Sequence, residues 1–292
     1  MRRRVALIGQ PLRRRHSQVM HDAAFAATGI DARYELREVG EEGLGAFVAE
    51  VRDDPAWYGF QITAPHKQAI VGLLDRVDPD ATAIGAVNSV QRLADGSLVG
   101  FNTDAPGFVA AVRRDLGSTL MDAHVVLLGA GGAARAVATA CLRHGAASLM
   151  IANRTPATAV ALAAAINATA DPTSSGTGTA SLGCGLDDPA LPDRLARADL
   201  LVNATTVGMT SPGLPVDISL VSATTAVLDL VYVPPQTPLL AAARARDLVA
   251  ANGAGMLVAQ AAIAWMRWTA AADPTDVMRA ALAGMSCDGG AA

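Results

Sequence analysis

His124-Val125-Val126-Leu127-Leu128-Gly129-Ala130-Gly131-Gly132-Ala133-Ala134-Arg135-Ala136 decides the fold of the second half of this 292-residue chain. Five residues of buried-strand character run into GxGxxA, and helical spacing follows over 133–144 until Gly145 stops it. A glycine pattern alone is weak. Between a strand and a helix it is a dinucleotide fingerprint, because glycines let the backbone approach a pyrophosphate that rests on the helix N-terminus. Gly129, Ala130, Gly131, Gly132 and Ala133 are therefore candidate cofactor contacts. The next strand, 148–152, ends in Asn153-Arg154-Thr155. An acidic residue there would suit the ribose hydroxyls of NAD, whereas arginine suits the extra phosphate of NADP, so NADP is expected in preference to NAD. Pro156 at the first helical position, after Thr155 as cap, gives that threonine a structural role too.

Downstream of the helix 157–167, the stretch 169–185 is rich in Ser, Thr and Gly and reads as a flexible surface insertion. Two further apolar strands, 200–204 and 226–231, end in Asn203-Ala204-Thr205-Thr206-Val207-Gly208-Met209 and in Tyr232. Both ends should face the cofactor edge, which adds Thr205 and Met209 to the candidates. After the helix 238–246, Gly253-Ala254-Gly255-Met256 opens a long helix over 257–269, and Gly253 and Met256 are further cofactor-side candidates. Gln260 lies early in that helix, where a glutamine is by default a solvated residue.

The first hundred residues read as βαβαβα: strand 5–9, helix from Ser17 to Gly29, strand 32–39, helix 41–51, strand 57–63 and helix 66–77. That alternation implies parallel strands with helical crossovers, and in such sheets ligands sit at the carboxyl ends of the strands. The segments 9–17 and 63–67 hold that position. They bring an arginine cluster, Ser17, Thr63 and Lys67 to one edge, a set suited to an anionic, hydroxylated small molecule. Ser17 is also well placed as a helix N-cap. Lys67 stands apart because every other member of the 23 Lys and Arg residues is arginine. Only lysine can readily give up a proton, so it is a candidate proton carrier. Asp95-Gly96 marks a hairpin between 87–90 and 98–101, whose second strand delivers Asn102-Thr103-Asp104. Asp104 either caps the helix 105–116 or holds the Lys67 ammonium in place.

The length suits two domains of roughly 100 to 200 residues each. With aromatics at only 4% of a 51% hydrophobic chain, short helices packed closely on sheets fit better than an aromatic-rich barrel. A net charge of −4, with basic clusters only at 2–4 and 13–15, argues against a nucleic-acid partner. Cys141, Cys184 and Cys287 have no metal-type spacing and leave an odd number, as in a reducing compartment, so no metal site is expected. No apolar run reaches the roughly 18 residues of a membrane helix, and Met1 leads straight into a strand; the expected location is cytoplasmic, without a membrane partner.

The ordered set GxP…S…MH, T-x-P-x-K, AVNS, NTD, GAGGAARA, NRT, NATTVGM, DLVY-x-P and GMLVAQ resembles the shikimate dehydrogenase family, with its quinate and aminoshikimate relatives, from about Val5 to Trp268. The resemblance implies an α/β chain with a three-layer substrate domain over 1–104, a Rossmann NADP-binding domain over 105–237, and C-terminal helices over 238–292 returning to the first domain. Substrate would sit between the two, against the nicotinamide. It also implies that Lys67 and Asp104 are the catalytic acid–base pair. Thr63, Asn88, Asp104 and Gln260 would hold the substrate hydroxyls, Tyr232 would lie near substrate and nicotinamide, and Ser17 would bind the carboxylate. Gly129, Gly131, Gly132, Asn153, Arg154 and Thr155 match cofactor positions.

Three positions depart from the family pattern. Arg15-His16-Ser17 stands where S-x-S is usual, so Arg15 could hold the carboxylate bidentately or fill part of its pocket. Gln61 replaces an asparagine before T-x-P-x-K, and Thr158 stands where a second arginine often supports the NADP phosphate. The expected activity is hydride transfer between NADP and shikimate or a close cyclic hydroxy acid, by a monomer or homodimer. Quinate, an aminoshikimate or a larger acid are the alternatives that Arg15 raises. A non-catalytic dinucleotide-binding sensor is the alternative of another class.

Overall fold

The computed structural model describes residues 2–12, 15–169 and 180–288, so Arg13, Arg14 and the middle of the Ser/Thr/Gly-rich stretch lie outside the described residues. The chain divides into two compact units, one of residues 1–107 and 257–292, the other of residues 108–256.

The first unit begins with β1 (Arg3–Gly9), α1 (His16–Thr28), β2 (Ala32–Glu38), α2 (Leu44–Asp53) and β3 (Trp57–Ile62). β1 pairs in parallel with both β2 and β3, as the alternating pattern demands. α2 buries Leu44, Phe47, Val48 and Val51, the i, i+3, i+4, i+7 stripe of an amphipathic helix. Phe47 meets Trp57 and Phe60 edge-on, with ring centroids 5.6 and 5.1 Å apart. Burying each such side chain stabilises the unit by about 1.5–3 kcal/mol. Then follow β4 (Arg76–Val77), α3 (Pro79–Ile84), β5 (Ser89–Arg92), β6 (Leu98–Phe101) and α4 (Asp104–Asp115), whose residues from Phe108 on belong to the second unit. β5 and β6 form the expected hairpin, and the strand order is β2-β1-β3-β5-β6-β4. The order reverses between β1 and β3, so the loops after those two strands open at a topological switch point.

The helix expected over 66–77 does not form. Only a short 3₁₀ turn, Ala69–Leu73, is present, and Arg76 and Val77 pair with Val99 and Gly100 as β4. Asp75 is drawn to β6 from both sides: its N–H donates to the Leu98 carbonyl, and its carboxylate accepts the Leu98 N–H at 2.7 Å. Pairing with a ready-made edge strand overrides a local helical pattern interrupted by Gly72.

The second unit holds β7 (His124–Leu128), α5 (Gly132–Arg143), β8 (Ser148–Asn153), α6 (Pro156–Ala168), β9 (Ala180–Gly185), α7 (Leu191–Ala196), β10 (Leu200–Asn203), β11 (Ala226–Asp229), α8 (Pro238–Arg244) and β12 (Ala250–Asn252). Its six strands run in the order β12-β11-β10-β7-β8-β9, all parallel. That is the Rossmann order, with its switch point between β7 and β10. Residues 180–185, expected to belong to a surface insertion, are instead the edge strand β9, in register with β8 from Ser148↔Ala180 to Asn153↔Gly185. Because β12 completes the other edge of this sheet, residues 238–256 belong to the second unit.

α9 (Ala254–Thr269) and α10 (Thr275–Asp288) end the chain. From Leu257 onward they belong to the first unit, where α10 packs on α1. Trp268 Nε1 donates to the Val90 carbonyl at 2.9 Å, and Arg267 pairs with Asp78 and Gln91. These ties hold the C-terminal half of α9 on the hairpin and so set where Gln260 sits.

Candidate active site

Lys67 is placed by the loop that follows β3. Its neighbour His66 is buried and donates from Nε2 to the Val39 carbonyl at 2.6 Å, while the Lys67 carbonyl accepts the Val87 N–H at 2.8 Å. Thr63 returns its N–H to the Ile8 carbonyl, and its methyl group packs so closely on Gly9 that a Cβ there would lie 2.3 Å away. The peptides before Pro11 and Pro65 are both cis.

So anchored, Lys67 Nζ donates to Asp104 Oδ2 at 2.5 Å. Asp104 is not the helix cap. That task falls to Asn102, whose Oδ1 accepts the N–H of Asp104 at 2.9 Å and of Ala105 at 3.3 Å. The Asp104 carboxylate is thereby left to the lysine and to Asn88, whose Nδ2 donates to Oδ1 at 2.8 Å. Asn88 is fixed in turn by Thr103, which donates its N–H to Asn88 Oδ1 and accepts from Nδ2 at 3.0 Å. Every oxygen of the catalytic candidate is thus satisfied by a side chain that is itself held.

Gln260 joins the same cluster rather than lying in solvent. Its Oε1 accepts from Gln61 Nε2 at 2.8 Å and lies 3.3 Å from the Thr103 hydroxyl. Gln61 Oε1 accepts from the Tyr34 hydroxyl at 2.6 Å and faces His21 Nε2 at 3.2 Å. His21 stacks on Tyr34, with centroids 4.4 Å apart. Burial pushes the His21 imidazole down to about 3 and the Tyr34 phenol well above its usual range, so both stay neutral. Sequence reasoning missed His21, Tyr34, Asn102 and Thr103 as members of the cluster. The only signal for them was that His21 and the Asn102-Thr103-Asp104 run fall inside the motifs.

Ser17 is the second residue of α1, not its cap, and it lies against the Tyr34 hydroxyl. Arg15 occupies the N-cap position, exposed, with Nε bonded to Gln18 Oε1 at 3.0 Å. The structure therefore brings Lys67, Asp104, Asn88 and Gln260 together and sets Arg15 on the surface of α1.

In the second unit, the turn between β7 and α5 has Gly129 at φ +104°, where an added Cβ would meet the Ala204 carbonyl at 3.0 Å. Gly131 caps α5, and nothing lies within 4 Å of a Cβ built on it. That open face at a helix N-terminus is where a pyrophosphate can approach. Asn153 ends β8 and donates to the Thr155 carbonyl, while Arg154 is exposed and no carboxylate ends the strand. Thr155 precedes α6 as its N-cap without a side-chain capping bond.

At the other side of the switch point, Asn203 Nδ2 donates to the buried Asp229 at 2.9 Å, and Asn203 Oδ1 accepts from Thr205 Oγ1 at 2.7 Å. Asp229 also accepts from Thr237 at 2.6 Å. Burial pushes its carboxyl above the usual range. This network holds the 203–209 loop, with Met209 at its exposed end. Tyr232 follows β11, half-buried; Gly253 packs on the Leu230 backbone, and Met256 is buried.

The family model for the shikimate dehydrogenase substrate binding domain matches residues 7–90, and that for shikimate / quinate 5-dehydrogenase matches residues 111–176. A shikimate dehydrogenase (NADP(+)) of Geobacter metallireducens is 41% identical over 276 residues, covering 94% of each chain. The crystal structure of shikimate 5-dehydrogenase from Thermus thermophilus in complex with NADP(H) and shikimate superposes with a TM-score of 0.84 at 35% identity, over 97% of this chain and 99% of that one. Quinate dehydrogenase from Corynebacterium glutamicum in complex with NAD gives 0.87 at 34% identity, over 97% and 99%. Two α/β units, nine motifs in order and identity along nearly the whole length agree: the chain belongs to the shikimate dehydrogenase family.

Proposed function

We propose that this enzyme interconverts shikimate and its 3-dehydro ketone, with NADP as the hydride carrier and with Lys67 and Asp104 as the acid–base pair. The observation that carries the reading is the 2.5 Å contact between the sole lysine and a carboxylate already held by Asn88. In oxidation, the ring hydroxyl gives its proton to the Lys67–Asp104 pair as hydride leaves the carbinol carbon. In reduction, the Lys67 ammonium returns that proton to the oxygen as hydride arrives at carbon. General acid–base catalysis of this kind contributes typically about 10²- to 10⁴-fold. Asp104 keeps the Nζ in one place, so the proton moves along a fixed line. Thr63, Asn88 and Gln260 hold the remaining hydroxyls, and Ser17 takes the carboxylate.

NADP, when bound, supplies or accepts the hydride. The chain's residues fit it. The backbone of 129–133 presents an open helix N-terminus, Arg154 offers a cation to the extra phosphate, and β8 ends without the acidic residue that NAD would call for. Asn153 and Thr155 would support the ribose side, and Thr205, Met209, Gly253, Met256 and Tyr232 would contribute to the nicotinamide side of the second unit.

Mixing purified protein with shikimate and NADP⁺ and following nicotinamide absorbance at neutral pH tests the reading. Turnover is expected to be fastest with that pair among shikimate or quinate with NADP⁺ or NAD⁺. Absence of turnover with shikimate overturns it.

A further inference from the structure

Gln61, Gln260, Tyr34 and His21 form a directed chain of hydrogen bonds, and its direction is set at one end. Gln260 Nε2 donates to the Leu257 carbonyl at 2.9 Å, and a carbonyl can only accept. This fixes the Gln260 carboxamide: nitrogen toward Leu257, Oε1 toward Gln61 and Thr103. Gln61 must then present Nε2 to Gln260, so its own Oε1 faces Tyr34 and His21, both of which must donate. His21 accordingly carries its proton on Nε2, and the bare Nδ1 is buried with no partner. Each assignment forces the next. Gln61, at 3% exposure, is hydrogen-bonded both to the aromatic pair and to Gln260.

Gln260 Nε2 has two hydrogens, and Leu257 takes one. Because Oε1 is engaged by both Gln61 and the Thr103 hydroxyl, what Gln260 has left for a ligand is an N–H. We propose that Gln61 is a positioning residue: by occupying Gln260 Oε1 it reinforces the orientation that the Leu257 carbonyl sets, so that the site offers a donor at that point and selects a substrate oxygen over a protonated amine there. This rests on the proposed reading of Gln260 as a substrate contact. An asparagine at position 61 carries the same carboxamide one methylene closer to the backbone, so with β3 in this place the amide falls short of both partners. The lock is therefore particular to the glutamine of this chain.

The test is a double-mutant cycle on the full-length enzyme. Gln61→Met keeps the volume and removes both bonds. It is expected to raise the shikimate KM about tenfold, as for loss of one neutral hydrogen bond, with kcat changed less than about threefold. Gln260→Ala should raise KM by a similar factor, and adding Gln61→Met to it should change nothing further, because the first residue acts only through the second. Additive effects, or a fall in kcat with KM unchanged, overturn the proposal. Tyr34→Phe removes one of the two donors to Gln61 Oε1, together with the hydroxyl beside Ser17; it should raise KM in the wild-type background and change nothing further in Gln260→Ala, which covers the case in which Gln61→Met does not fold. A second readout does not depend on the substrate: ¹⁵N shifts of the His21 ring should report Nε2–H with a bare Nδ1. The opposite tautomer would turn a lone pair on Gln61 Oε1 and overturn the inference whatever compound is turned over, whereas failure of shikimate turnover alone would sink the functional reading and leave the lock standing.

Discussion

Asn88, Gln61, Asp104 and Gln260 in the first unit are all less than a tenth exposed and are bonded to one another or through Thr103. The cofactor edge of the second unit is made of other material. Gly129 and Gly131 contribute backbone and empty space, and Arg154 stands exposed at the strand end. The difference follows from what each edge must recognise. A small polyhydroxylated acid offers groups that both donate and accept, so the protein must set the direction of every bond in advance, which takes interlocked side chains. A phosphate chain offers only acceptors. Backbone N–H groups and one cation can hold it without a side-chain lattice. Substitutions in the first unit should therefore act on chemistry or propagate through the cluster, and those in the second should act locally on cofactor affinity.

The sharpest way to break that contrast is Lys67→Met. Loss of the proposed proton carrier should lower kcat for shikimate oxidation by about 10³-fold, within the usual range for a general acid–base group. The dissociation constant for NADP⁺, measured by fluorescence titration, should stay unchanged. A loss of cofactor binding of comparable size would show that the two edges are not separable.

How far these two edges were legible in the sequence differs for the same physical reason. The cofactor edge is local: strand, glycines and helix are contiguous, and the Rossmann order follows from repeated parallel crossovers. The Lys67–Asp104 contact has local signals: Lys67 is the one lysine, and the hairpin strand β6 leads through Asn102-Thr103 to Asp104 at the start of α4. The Gln61–Gln260 bond was not legible, since 199 residues separate its partners and nothing in either neighbourhood announces the other. Gln260 looked solvated because helix position alone does not say what the helix packs against. The misread helix at 66–77 and the hidden strand β9 fail alike. Arg76–Val77 and Ala180–Gly185 are extended only because a neighbouring strand offers them a ladder.

Arg154→Ala probes the second unit. The exposed guanidinium is proposed to meet the extra phosphate of NADP, and a charge-assisted hydrogen bond is worth about 1.5–3 kcal/mol. The KM for NADP⁺ should rise roughly 10- to 100-fold. Those for NAD⁺ and shikimate should stay within about twofold. An equal rise for both nucleotides would place Arg154 away from that phosphate.

His21 gives a stability counterpart in the first unit. Its folded-state pKa is depressed from 6.5 to about 3 by burial, so below pH 6.5 the unfolded chain takes up a proton that the folded one refuses. Stability should then fall as pH drops through that window, by about 1.4 kcal/mol per pH unit from this group. His21→Phe keeps a ring on Tyr34 and removes the titration. The difference in denaturant-derived stability between wild type and variant should lean in wild type's favour as pH rises from 4 to 6. Asp22, whose carboxyl burial pushes up, titrates in both proteins and cancels. Parallel stability curves would mean that His21 can be protonated in place.

Arg15 is the mildest case and the one where sequence and structure pull apart. Its position in the family pattern makes it a candidate for the substrate carboxylate, yet its guanidinium is bonded to Gln18 on the exposed face of α1. To bind substrate it would have to give up that bond, and an exposed side-chain pair of this kind contributes little. Arg15→Ser should change stability by no more than about 0.5 kcal/mol, as for a surface site. The shikimate KM should move by less than about threefold, because Ser17, the Lys67–Asp104 pair and the Gln61–Gln260 lock are all left in place. A drop in KM of tenfold or more on restoring serine would show that Arg15 leaves Gln18 and reaches the pocket. In that case the first unit would read part of its ligand with an exposed surface cation, as is proposed for Arg154 in the second.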